Sequence, residues 1–314
     1  RGMTYKSAIA NLKLGGGKAV IIGDPRTEKN DALLYAMGDF IEGLGGRYIT
    51  AEDSGTSVRD ILKMGERTNY VSGVDNASDH GGDPSPSTAY GVFVSLREAV
   101  TYKLGRSNLK GLKVAIQGLG NVGYRLAEYL HEAGALLYVT DIVQASVDRA
   151  VRELGATAVT GDEIFGLDVD VFAPCALGAA INDKTIGQLK AGIIAGAANN
   201  QLATVDHGHQ LHKKGILYTP DYVVNAGGII DVYYQRKMSE PGYSAQNYAS
   251  DLATKVEEIG DTLKEIFERS AAENIPTFMV ADRVAEERFN KTDLIRQPIK
   301  SDAPAATQFY SKSV

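Results

Sequence analysis

Two lysines and an aspartate have the types and surroundings to share proton chemistry. Gly15, Gly16 and Gly17 deliver Lys18 to the mouth of an apolar run, Ala19-Val20-Ile21-Ile22. Glycine has no Cβ, so backbone there can pass close to a ligand. A lysine in such a semi-closed place sheds hydration, and its pKa falls toward the range where it exchanges protons. Lys6 lies twelve residues earlier, and Asp53 follows in Thr50-Ala51-Glu52-Asp53-Ser54-Gly55-Thr56. Plainer readings stand beside these. Lys6 taken alone reads first as an ordinary helix-surface lysine, and Asp53 also reads as an N-cap for a helix beginning near Ser57.

Downstream, Gly118-Leu119-Gly120-Asn121-Val122-Gly123 follows the apolar strand Lys113–Gln117 and opens a helix over Tyr124–Ala133. The next strand, Leu136–Thr140, ends at Asp141, 23 residues after the first glycine. Three spaced glycines alone are weak, but strand, turn, helix, strand and acid together read as a dinucleotide site. Gly118 permits the tight turn, and Gly123 lets helix pack on strand. Gly120 lets the backbone approach a pyrophosphate, whose charge rests on the helix N-terminus through Asn121, Val122 and Gly123. Asp141 suits the ribose hydroxyls and repels a 2′-phosphate. Ile142-Val143-Gln144-Ala145-Ser146 offers no Arg or Lys to hold one, so the expected cofactor is NAD.

Oxidising an amino acid by hydride transfer requires a cation for the α-carboxylate. It also requires a base near neutral pH for the attacking water, a proton shuttle at nitrogen, and a site that excludes water. Lys6, Lys18 and Asp53 fill the first roles. Asn225, in Val223-Val224-Asn225-Ala226-Gly227-Gly228, is read as following the last sheet strand, where it donates or accepts near the substrate carboxylate or carbonyl. Cys175 ends a strand beside Ala176. It reads as a packing or cofactor-wall residue rather than a nucleophile. His207, His209 and His212 lack companion ligands at metal spacing and read as surface, so no metal is expected.

The elements that must hold these groups follow from periodicity. Apolar spacing gives helices near Arg1–Leu12, Asn30–Gly43, Thr88–Leu104, Asn247–Ser270 and Phe278–Phe289. Ala19–Ile22 reads as a buried strand and Arg47–Thr50 as a short one. Asp75–Ser87, rich in Gly, Asp, Ser and Pro, reads as a linker. Further strands are expected at 169–175, 192–197, 217–218 and 223–224. Strands alternating with helices imply a doubly wound α/β sheet. The polar tail after Thr292 is expected to be loose.

Composition excludes several classes. The 314 residues carry a net charge of −6, against the basic face of a nucleic-acid binder. No run of 18 apolar residues suggests a membrane span, and no signal peptide opens the chain. A single cysteine rules out an internal disulfide and fits a reducing, cytoplasmic setting.

Taken in order, these motifs resemble the family of glutamate, leucine, phenylalanine and valine dehydrogenases. The shared pieces are Met3-Thr4-Tyr5-Lys6, the triple-Gly-Lys, Ile49-Thr50-Ala51-Glu52-Asp53, Ser87-Thr88-Ala89-Tyr90-Gly91-Val92, the Gly-Leu-Gly-Asn-Val-Gly turn, Ala173-Pro174-Cys175-Ala176-Leu177-Gly178, Gly196-Ala197-Ala198-Asn199-Asn200-Gln201 and Asn-Ala-Gly-Gly. The leucine dehydrogenase branch is the most similar. The resemblance implies that Lys6 binds the substrate carboxylate and Lys18 is the catalytic lysine. It makes Asp53 the proton-transfer acid and Asn225 a substrate-orienting residue, with Thr88 and Asn199 near the nicotinamide. It also implies a homo-oligomer, commonly an octamer, and a cleft that closes between two domains. One is a Rossmann-type NAD domain at 83–271. The other is an α/β substrate and oligomerisation domain at 1–82 with 272–314, read as N-terminally incomplete.

The chain departs from the leucine branch after Asn-Ala-Gly-Gly, where Ile229–Arg236 replaces an Ala-Asp-Glu segment. Ala51 suggests an apolar pocket wall, and a glycine there would leave more room for an aromatic ring. The expected substrates are therefore leucine, valine or isoleucine, each deaminated reversibly to its 2-oxo acid and ammonia. The alternatives are an aromatic amino-acid dehydrogenase and a silent NAD-binding relative.

Overall fold

Short apolar strands that bury both faces have to lie inside a wound sheet. Val114, Ile116, Val171, Ala173 and Ile193 enter one core, and Ala115, Phe172 and Ile194 enter the other. The computed structural model describes residues 1–53, 55–74, 82–238 and 240–291. Helices α1 (Gly2–Ile9), α2 (Asp31–Gly43), α3 (Val58–Gly65) and α4 (Ser85–Leu104) precede β1 (Lys113–Gln117). Then come α5 (Asn121–Glu132), β2 (Leu136–Thr140), α6 (Gln144–Leu154), β3 (Thr157–Ala158), β4 (Val171–Pro174) and β5 (Ile193–Ile194). The chain continues through α7 (Val205–Lys213), β6 (Leu217–Tyr218), α8 (Asp221–Val224), α9 (Gly227–Lys237), α10 (Ala245–Glu273) and α11 (Thr277–Lys291).

The strands run in the order β3-β2-β1-β4-β5-β6, each pair parallel. Strand order reverses between β1 and β4. The carboxyl ends of those strands therefore diverge into a crevice, where α/β sheets of this kind bind ligands. Helices α4, α5, α9, α10 and α11 contribute to the larger core, and α7 with residues 164–189 to the smaller. Leu34, Ile41, Ile61 and Met64 form a third cluster between α2 and α3.

The helix boundaries have local causes. Asn30 Oδ1 accepts from Leu33 N at 3.0 Å, and Ser57 forms a reciprocal cap with Asp60. Each such cap is worth about 1 kcal/mol. Asn274 ends α10 in the left-handed conformation, at φ 53.

Several expectations change. Ala19–Ile22 is extended coil rather than a buried strand, with Val20 79% and Ile22 96% exposed. A strand needs a neighbour for its N–H and C=O groups, and among the described residues none runs beside it. Of Arg47–Thr50 only Thr50 pairs, in an isolated parallel bridge to Val71. Val223–Val224 is not a strand: it belongs to the single turn α8, which begins after Pro220, so Asn225 follows a helical turn. Two consecutive buried valines fit either element, and periodicity cannot separate them. His207 is buried rather than surface, its ring bonded to Thr204 and Asp183. Ser85–Ser87 already belong to α4. Positions 75–81 of the expected linker and the tail from residue 292 lie outside the described residues.

Candidate active site

Lys6 sits near the end of α1, and the glycines bring Lys18 back to it. A Cβ on Gly16 would come within 2.1 Å of Thr4 N, and one on Gly17 within 2.7 Å of the Tyr48 ring. These two glycines are therefore needed for close passage against the protein itself, between α1 and Tyr48, not against a ligand. Tyr48 leads to Thr50 and on to Asp53, and the Lys18 ammonium forms an ion pair with the Asp53 carboxylate. Both side chains keep about half their surface in water, at 54% and 51%. Such an exposed pair is worth about 0–1 kcal/mol to stability, so its significance is chemical. Burial lowers the Lys18 pKa.

Asp53 does not cap a helix. Its N–H donates to Thr56 Oγ1 at 3.0 Å within its own turn, and Ser57 is the cap of α3. Ala51 is half-buried coil beside the Thr50 bridge, and the neighbouring Glu52 Oε2 is buried with no hydrogen-bond partner among the described residues.

Lys6 is partly buried, and desolvation pushes it down to about 8. Asp221 opposes that fall and the Lys18 charge adds to it. Asp221 opens α8, one helical turn before Asn225. Asn225 is 3% exposed, and its Nδ2 donates to Ala197 O at 3.0 Å and Asn199 Oδ1 at 2.8 Å. Its Oδ1 is buried and has no hydrogen-bond partner among the described residues. An unpaired buried acceptor costs about 1–3 kcal/mol, so this oxygen is poised for a donor from a ligand. Thr88 packs on Gly227 and Gly228 just beyond, its Oγ1 donating to Pro84 O at 2.9 Å.

The dinucleotide turn fits its group. A Cβ on Gly118 would strike Ala176 N at 2.8 Å, and one on Gly123 would strike Gly118 O at 2.0 Å. Gly120 instead faces open space, with nothing within 4 Å. The turn is thus closed toward Cys175 and Ala176 and open where a pyrophosphate would approach. Asn121 begins α5 and is exposed, and Val122 is half-buried. Asp141 Oδ2 accepts from Leu119 N at 2.5 Å and Oδ1 from Val143 N at 2.7 Å, which fixes the carboxylate at the end of β2. Burial drives the Cys175 thiol up to about 12, so it is no nucleophile.

The structure therefore gathers Lys6, Lys18 and Asp53 in one group. It gathers Asn225, Asn199 and Thr88 in a second, and the glycine turn, Cys175, Ala176 and Asp141 in a third. Sequence reasoning missed Asp221, although Pro220-Asp221 four residues before Asn225 was a readable signal. It also missed the exposed apolar side chains of Ile142 and Leu177, at 102% and 88%, which flank the crevice. Among the described residues no group of three or more His, Cys, Asp or Glu side chains is placed to hold a metal.

Residues 1–70 match the family model "Glu/Leu/Phe/Val dehydrogenase, dimerisation domain". Residues 82–141 and 136–292 match "Glutamate/Leucine/Phenylalanine/Valine dehydrogenase". A leucine dehydrogenase of Bacillus subtilis (strain 168) is 51% identical over 93% of this chain and 78% of its own length. The crystal structure of L-tryptophan dehydrogenase from Nostoc punctiforme superposes with a TM-score of 0.77 at 45% identity, covering 92% of this chain and 80% of that one. A hetero-hexameric glutamate dehydrogenase from Thermus thermophilus shares the fold, with a TM-score of 0.73 at 23% identity over 92% of this chain and 75% of its own. With both family models matching and a relative 51% identical over 93% of the chain, the chain belongs to the glutamate/leucine/phenylalanine/valine dehydrogenase family of amino-acid dehydrogenases.

Proposed function

We propose that this enzyme carries out reversible, NAD-dependent oxidative deamination of a branched-chain L-amino acid, giving the 2-oxo acid and ammonia. The observation that carries the reading is the Lys18–Asp53 pair set beside the half-buried, charged Lys6. The chemistry supplied by a bound nicotinamide is acceptance of hydride from the substrate Cα.

The chain's own residues do the rest. Lys6 holds the α-carboxylate through a charge-assisted hydrogen bond. Asn225 Oδ1 accepts from the substrate nitrogen, its amide held in that orientation by Ala197 and Asn199. Asp53 takes the proton released from that nitrogen. Lys18 in its neutral form removes a proton from the water that attacks the imine carbon, and burial, which lowers its pKa, favours that form. Asp53 returns its proton to the nitrogen of the water adduct, the C–N bond breaks as ammonia leaves, and the adduct's hydroxyl proton and the proton on Lys18 pass to solvent as the carbonyl forms.

Ala51, as a small apolar wall, supports aliphatic substrates, as does the 51% identity to a leucine dehydrogenase. Asp141 at the end of β2, with Ile142 and Val143 after it and no nearby cation in sequence, supports NAD over NADP. Residues 83–271 serve as the cofactor domain, and 1–82 with 272–314 as the substrate and assembly domain. The exposed Val20, Ile22, Phe40 and Leu62 lie in the stretch matched to a dimerisation domain, which supports a homo-oligomer, with an octamer as its expected size. The cytoplasm suits a chain with one cysteine; among the described residues no helix is long and apolar enough to cross a membrane. Amination assays with a panel of 2-oxo acids test the substrate, and light scattering on the eluted protein tests the assembly.

A further inference from the structure

Past β5 the chain runs through Gly196, Ala197, Ala198, Asn199 and Asn200 to Gln201, which is 0% exposed. The Gln201 side chain folds back over this loop. Its Nε2 donates to Gly196 O at 2.7 Å and to Ala198 O at 3.0 Å. Two carbonyl acceptors on one nitrogen fix which end of the amide faces the loop. Its Oε1 is then left buried, with no hydrogen-bond partner among the described residues. An unpaired buried acceptor is costly, so packing alone does not account for a glutamine here.

The main chain of Gln201 is held as firmly. Its N–H donates to Asp221 Oδ2 at 3.0 Å, and its carbonyl accepts from Ile181 N at 2.9 Å. Asn200 and Ala179 both adopt left-handed backbone, at φ 51 and φ 58, and Ala179 N donates to Asn200 O at 2.7 Å. Residues other than glycine stay in that region only where their surroundings impose it. Ala198 N donates to Pro174 O at 2.9 Å, and a Cβ on Gly196 would strike the same proline. The loop is thus pinned between the end of β4 and the Gln201 amide.

What the loop presents is a pair of acceptors. Ala197 O, between the two carbonyls that Gln201 holds, and Asn199 Oδ1 both accept from Asn225 Nδ2. The oxygen and nitrogen ends of an asparagine amide have the same shape, so its partners decide which end faces a ligand. We propose that Gln201 is a positioning residue that fixes these two acceptors and so turns Asn225 Oδ1 toward the substrate nitrogen. It touches no substrate and acts through the loop and Asn225. The inference rests on the amino-acid reading above.

Two ligands separate this role from a merely structural one. L-Leucine carries a nitrogen that donates to Asn225 Oδ1, and 4-methylpentanoate has the same skeleton and carboxylate without it. Their dissociation constants are measured by ligand NMR on the full chain at pH 7 with saturating NADH, where leucine cannot be oxidised. Gln201→Met keeps the length of the side chain and removes both donors. It is expected to weaken L-leucine about tenfold, or about 1.4 kcal/mol, and to leave 4-methylpentanoate within about twofold. Equal losses for both ligands, or no loss for leucine, would overturn the proposal. Should Gln201→Met fail to fold, Gln201→Glu, which has the shape of glutamine, carries the same comparison. Wild type that binds neither ligand would fail the amino-acid reading, and the crystal structure of the variant then decides this one. There Asn225 Nδ2 is expected to lose Ala197 O, Asn199 Oδ1 or both, and retention of the two bonds would overturn the proposal.

Discussion

At the scale of single residues, the site combines a weak ion pair with a strained acid–base balance. Lys18 and Asp53 gain little stability from each other, so their removal should be read in rate. Lys18→Ala is expected to lower kcat by about 10²–10⁴-fold, the usual share of a general base, while NADH affinity by fluorescence titration stays unchanged. Loss of NADH binding in parallel would mean that Lys18 supports the fold instead. The pH profile follows from Lys6, lowered to about 8. Its ammonium is present below that pH and lost above it, so kcat/KM for the amino acid should fall as pH rises through about 8. Cys175, pushed up to about 12 by burial, should resist iodoacetamide at pH 8; rapid alkylation with loss of activity would contradict its role as a packed wall. Lys6, Lys18 and Asp53 were legible in the sequence because each is embedded in local punctuation, a helix end or a glycine run. Asp221 was not, because the group it anchors, Gln201, comes from another part of the chain.

At the scale of elements, the three fingerprint glycines have different jobs, and the structure separates them. Gly123→Ala forces a Cβ against Gly118 O, at 2.0 Å, and should cost about 1–3 kcal/mol through overpacking, seen as a lower urea midpoint. Gly120→Ala places its methyl in open space, so the midpoint should hold while NADH affinity falls. Equal effects of the two on stability would refute this division. The sheet and long helices were readable, since alternation and 3.6-residue spacing are local properties. Ala19–Ile22 and Val223–Val224 were misread because a short apolar run records burial or stickiness, not which neighbour is present. The segment Ile229–Arg236, conspicuous only as a departure, holds Asp231 fully buried in α9. That carboxylate accepts from Ser87 Oγ at 2.5 Å, Tyr248 OH at 2.6 Å and Gln235 Nε2 at 2.7 Å. Asp231→Ala strands all three donors and should destabilise by about 2–4 kcal/mol. A loss below about 0.5 kcal/mol would show that the donors find other partners.

At the scale of the whole molecule, the sheet's switch point places the cofactor turn beside the loops of β4 and β5, and α1 and α8 bring the lysine group to the same side. Together these elements should aminate a branched aliphatic 2-oxo acid. The pocket discriminates by methylene-sized differences, each about 1–3 kcal/mol, so several aliphatic substrates should share the site while one class leads. Loss of NADH absorbance, with ammonia and a panel of 2-oxo acids, measures this most directly. The highest kcat/KM is expected with 4-methyl-2-oxopentanoate or 3-methyl-2-oxobutanoate, with a preference for NADH over NADPH of at least about tenfold, or about 1.4 kcal/mol. A higher kcat/KM with an aromatic 2-oxo acid, or no turnover at all despite NADH binding, would contradict it.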